Sequence, residues 1–143
     1  ERILSPAPGA FATVLALQTA SGTTNPTIIG VLSGTLIVVE HSMRQTLSSP
    51  QVAIQDFVVR NTSVSGAHQS VSISFTVSRT TRLQNPRTYT HVFETAISLF
   101  PADKTKGDVC GCLTPACQGN DRYAWQVCED TLCNSAAIQL ECP

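Results

Sequence analysis

Apolar and polar residues alternate along most of this chain with the period of two that belongs to β-strands. The clearest run is residues 70–78. Val71, Ile73, Phe75 and Val77 share one face, and Ser70, Ser72, Ser74, Thr76 and Ser78 the other. That pattern predicts a strand buried on one side and solvated on the other. Residues 89–99 repeat it, with Tyr89, His91, Phe93, Ile97 and Leu99 in phase. Residues 51–60 alternate but change phase between Val52/Ile54 and Phe57/Val59, which predicts a β-bulge near Gln55 and Asp56. Residues 27–41 predict either one long strand buried on both faces or a hairpin turning at Ser33 and Gly34. The stretch 10–18 is apolar on both faces, as in a strand lying between other layers.

Between these runs lie segments with loop chemistry: 20–26, 42–50, 61–69, 80–87 and 101–108. Tyr123, Trp125 and Val127 alternate again, as do Ile138 and Leu140, so the tail adds short strands. No amphipathic helix of useful length appears. The expected fold is all-β: an antiparallel β-sandwich of about six to nine strands with a small disulfide-rich C-terminal cap. Residues 1–106 are expected to form its body and 107–143 the cap, within one domain of ordinary size.

Six cysteines sharpen that division. Cys110, Cys112, Cys117, Cys128, Cys133 and Cys142 all fall in the last 34 of 143 residues. A segment this short buries too little apolar area to order itself, and an even cysteine count reads as a local disulfide framework. Each bridge contributes on the order of 2–4 kcal/mol. Connectivity stays open, except that Cys110 and Cys112 share a strand face and are expected to bond different partners. Zinc is the weaker reading, because the spacings lack paired Cys-x2–4-Cys knuckles and His41, His68 and His91 lie far away in sequence. Disulfides in turn point to an oxidising compartment, so the chain is expected to be secreted or on an extracellular surface.

Composition agrees with that setting. Charged residues make up 13% of the chain, about half the usual share, and 14 Ser and 17 Thr take their place. Net charge is −1, too small to oppose association strongly. Residues 1–106 hold eight basic and five acidic residues, whereas 107–143 hold Arg122 against five acidic ones. Nucleic acid is not an expected partner at this charge and 6% aromatic content. The apolar runs are too short or too interrupted to be membrane-spanning helices. The chain opens on Glu1 without a signal-peptide pattern, as a mature form would.

Candidate chemistry is thin. Nothing matches Gly-x-Ser-x-Gly or an Asp-x-Asp-x-Asp-Gly calcium loop, so no catalytic residue, metal or cofactor is assigned and an enzyme is not expected. His91 reads as a core or interface histidine, and Trp125 as part of a small core beside the cysteines. Arg79, Arg82 and Arg87 flank one loop and form a possible anionic-ligand site, for instance for a sulfated glycan. Asn61-Thr62-Ser63 matches the N-glycosylation acceptor. Ala10, Phe11, Val14, Leu15 and Leu17 form a possible strand-exchange segment that could complete a neighbour's sheet.

The expected function is therefore that of an extracellular structural protein, a self-associating subunit of a fibre, coat or matrix. The alternative is a cell-surface adhesion or glycan-binding module acting through loops at one end.

Overall fold

The computed structural model describes residues 2–19, 24–64, 68–81, 85–99, 112, 115–129 and 132–142. Its regular elements are all strands. They are β1 (Arg2–Ser5), β2 (Phe11–Ala12), β3 (Val14–Gln18), β4 (Thr27–Leu32), β5 (Thr35–Glu40) and β6 (Met43–Thr46). The second half gives β7 (Ala53–Asn61), β8 (Gln69–Thr80), β9 (Thr88–Leu99), β10 (Ala116–Cys117), β11 (Arg122–Glu129) and β12 (Leu132–Gln139). They form three antiparallel sheets: β1-β3-β4-β5-β6, β2-β7-β8-β9 and β10-β11-β12.

The five-stranded sheet is the middle layer, and the side-chain alternation of its strands shows why. Val14 and Ala16 of β3, Ile28 of β4, and Ile37 and Val39 of β5 pack on Tyr123, Trp125, Val127 and Leu140 from the C-terminal part of the chain. The intervening residues Leu15, Leu17, Ile29, Val31 and Leu36 point the other way. They join Ile54, Phe57, Val59, Val71 and Ile73 of the four-stranded sheet. A strand apolar on both faces is what a layer covered on both sides requires. The all-β expectation holds. The C-terminal segment, expected as a small disulfide-rich cap, is a third layer whose apolar residues share a core with the middle sheet.

Several local expectations resolve at the residue level. Residues 27–41 form the hairpin, with Ser33 and Gly34 both left-handed at φ 49° and 73°. A two-residue loop of this kind needs positive φ to match the strands' twist, and glycine adopts it without a Cβ clash. The predicted bulge lies in β7, where the register against β8 shifts between Gln55 and Val58 and Asp56 has φ 52°. Residues 10–18 are not one strand. Thr13 separates β2, in the four-stranded sheet, from β3, in the five-stranded one.

The described residues form twelve strands, where about six to nine are expected from the sequence. One reason is this switch between sheets. Another is that β1, β6 and β10 lack the alternation that marks a strand in sequence. β6 is wholly exposed and polar apart from Met43, and residues 42–50 read as a loop for that reason.

Candidate functional site

Two disulfides are defined: Cys112–Cys133 and Cys117–Cys142. Cys110 and the Cys128 side chain lie outside the described residues. The second bridge joins β10 to the chain just beyond β12, where the tail is stitched to the middle sheet. Glu141 N donates to Val31 O at 2.9 Å, and Thr13 Oγ1 donates to Glu141 O at 2.6 Å. Trp125 is buried in the shared core, and its Nε1 donates to His41 O at 3.1 Å. An indole so enclosed is a packing element with its one donor satisfied, not a stacking platform. No group of three or more His, Cys, Asp or Glu among the described residues is placed to hold a metal ion.

The histidines are dispersed. His41 sits in the turn after β5, with Nδ1 3.4 Å from Asn25 O. His68 is exposed beside the start of β8. His91 is exposed on β9, edge-on to Phe93 at 4.6 Å between ring centroids. Of the core or interface position expected for His91, the core is excluded, because the face it belongs to is uncovered in the single chain.

Asn61 is 2% exposed, and both ends of its amide are engaged. Nδ2 donates to Pro6 O at 2.7 Å, and Oδ1 accepts from Ser63 N at 3.0 Å. The nitrogen that would carry a glycan is therefore buried against Pro6. The sequon gave no sign of this, because the buried contact comes from residues 55 positions away.

The strand-exchange candidate also lies differently from its sequence reading. Val14 and Leu15 are fully buried in a strand already paired with β1 on one side and β4 on the other. Leu17 packs against the core, and Ala10 O accepts from Asn61 N at 3.1 Å. Phe11 alone of the five is exposed, with the Arg60 guanidinium 5.2 Å from its ring centroid. Donating this segment to a neighbour would dismantle the chain's own centre.

Arg79 and Arg87 lie at the hairpin end of β8 and β9, both exposed; Arg82 lies outside the described residues. Arg79 lines an open cleft of about 1200 Å³ with Ser33, Thr35, Gln51, Thr80 and Thr81. Hydroxyls beside a guanidinium could hydrogen-bond a polar or anionic ligand.

The largest departure from sequence expectation is β9. All its residues except Leu99 are exposed, including Tyr89 (59%), Val92 (60%), Phe93 (45%) and Ile97 (43%). The strand pairs with β8 over its full twelve residues and is the last strand of the four-stranded sheet among the described residues. Phe93 stacks on Phe75 at 5.4 Å, and Phe75 lies 6.3 Å from Phe57, so an aromatic row runs across three strands to this edge. The alternation of residues 89–99 predicts the strand, but the buried face it also predicts is absent: both faces of β9 are exposed. Periodicity cannot say that the middle sheet stops short of it.

Comparison with known proteins gives no match to a family model, a curated protein or a solved structure.

Proposed function

We propose that the chain is an extracellular structural module that works by association with other protein chains, as a subunit of a fibre, coat or matrix. The observation that supports this most is the edge strand β9, unpaired on one side among the described residues, with Tyr89, Phe93 and Ile97 exposed on one face and Val92 on the other. Natural proteins blunt such edges with short strands, prolines or charges. Here β1 and β6 are four residues long, and β6 carries Arg44. β9 is twelve residues long, has no proline and carries one charge, Glu94. Low net charge and two disulfides suit a module that persists in an oxidising, crowded setting. Sedimentation at physiological salt over a wide concentration range tests the reading. Reversible or progressive assembly is expected, and a strict monomer at high concentration rejects it.

A second reading, a glycan-binding or adhesion module, rests on the Arg79 cleft. Titration with a sulfated glycan, compared between the wild type and an Arg79→Glu/Arg87→Glu variant, separates the two. Saturable binding lost in the variant favours the second reading, and no binding removes it.

A further inference from the structure

We infer that the free edge of β9 receives the β9 of a second copy, antiparallel about a two-fold axis at Phe93, to give one continuous eight-stranded sheet. This rests on the assembly reading above and specifies its first contact, a closed pair of copies; growth beyond the pair uses a second surface.

The edge itself dictates which groups are available. Thr81 N donates to Arg87 O at 2.9 Å, which makes 81 and 87 a hydrogen-bonded pair of the β8–β9 ladder. Continuing the register from Thr80↔Thr88 to Gln69↔Leu99, every odd residue of β9 spends its N–H and C=O on β8. Thr62 N to Ser70 O, at 2.9 Å, agrees from the other side, because even residues of β8 face β7. The main-chain groups of Thr88, Thr90, Val92, Glu94, Ala96 and Ser98 therefore point away from β8.

A second β9 meets this edge under two constraints. Opposed residues in an antiparallel pair share a face, so even must face even and odd must face odd. The longest overlaps are then centred on Phe93 or on Glu94. Centring on Glu94 sets two carboxylates directly opposite each other, which is destabilising. Centring on Val92 shortens the overlap. Centring on Phe93 sets Phe93 against Phe93, Tyr89 against Ile97, His91 against Thr95 and Glu94 against Val92. That register extends the row Phe57, Phe75, Phe93 across the joint. It also closes about twelve main-chain hydrogen bonds between the free groups. Eleven residues a side is small against the roughly 20–30 of a standard interface, so the dimer is expected to be concentration-dependent.

Variants with one added cysteine, Val92→Cys, Phe93→Cys and Glu94→Cys, oxidised and run without reductant, read the register. Covalent dimer is expected from Phe93→Cys and not from its neighbours, because opposed Cβ atoms of a non-hydrogen-bonded pair lie about 4.5–5.5 Å apart. Val92→Pro removes an outward N–H that the monomer does not use. It deletes two bonds in the dimer, so dissociation is expected about thirtyfold more readily. Thr90→Pro serves as a second variant on the same edge, with far-UV circular dichroism confirming that each remains folded. Cross-linking at 92 or 94 in place of 93 overturns the inference. Association that persists unchanged in both proline variants, with no cross-link at 92–94, also overturns it while leaving the assembly reading intact. A folded wild-type protein that stays monomeric overturns both.

Discussion

Leu140 packs where a side chain on Gly30 would be: a Cβ built on Gly30 would lie 3.1 Å and 3.2 Å from the two Leu140 methyl carbons. The missing Cβ lets the buried Leu140 side chain sit directly on β4, beside Val14. Gly30→Val should therefore overpack the joint between the middle sheet and the C-terminal layer, at about 1–3 kcal/mol. Leu140→Ala should leave a cavity at about 2–5 kcal/mol. In the double variant the valine occupies space the leucine vacated, so the two losses should not add. Urea unfolding of the four proteins measures this coupling, and strict additivity would separate Leu140 from Gly30.

The Cys117–Cys142 bridge closes a loop of 25 residues around that joint. Replacing both cysteines with serine should cost about 3 kcal/mol, chiefly by freeing the unfolded chain. Thermal unfolding of the double variant without reductant checks this. An unchanged transition would mean that packing alone holds the third layer.

Tyr123 is buried in the same layer, and its hydroxyl has no hydrogen-bond partner among the described residues. Burial pushes its pKa from 10.0 up to about 12; the Ser5 side chain offsets part of the shift without reaching hydrogen-bond geometry. The folded state thus holds the phenol proton more tightly than the unfolded state does. This contribution is complete below pH 10 and declines as pH rises towards about 12. Its ceiling is about 3 kcal/mol, from two pKa units. Tyr123→Phe should match or exceed the wild type in stability at pH 8, and its advantage should widen at pH 11. Equal alkaline losses in the two proteins would rule Tyr123 out as the cause.

Asn61 holds the N-terminal segment to the end of β7 through Pro6 O, and its main chain adds Gly9 N to Asn61 O at 2.9 Å. Asn61→Ala should cost about 1–3 kcal/mol by leaving the buried Pro6 carbonyl without its donor. Asn61→Asp should cost more at pH 7, because a carboxylate oxygen would face that carbonyl. Protonation restores a donor, so the Asp variant should recover stability relative to the Ala variant as pH falls to 4. Chemical unfolding at the two pH values tests the sign.

Much of this fold was legible in the chain. The Ser33–Gly34 turn, the bulge at Asp56 and the two-sided apolar strands of the middle sheet followed from alternation and turn chemistry, which are local. What escaped was set by partners distant in sequence. At Thr13, where the chain switches sheets, the side chain bonds to Glu141, 128 residues away. Burial of Asn61 depends on Pro6. The exposure of Phe93 depends on where another sheet ends. The arginine cluster was read from proximity in sequence, and only Arg79 of the described pair lines the cleft. The edge of β9 could have been suspected from its length and its scarcity of charge, but an edge strand is identified by the absence of a neighbour, which no residue encodes locally.

The assembly reading comes down to the alternate amides of one strand. Residue-resolved hydrogen exchange across β9, measured at low and at high protein concentration, addresses it directly. At low concentration the amides of Tyr89, His91, Phe93, Thr95 and Ile97 should be protected by β8, and those of Thr90, Val92, Glu94 and Ala96 should exchange freely. At high concentration the second set should become protected as well. Exchange at Val92 and Glu94 that stays fast at every concentration would contradict pairing through this edge.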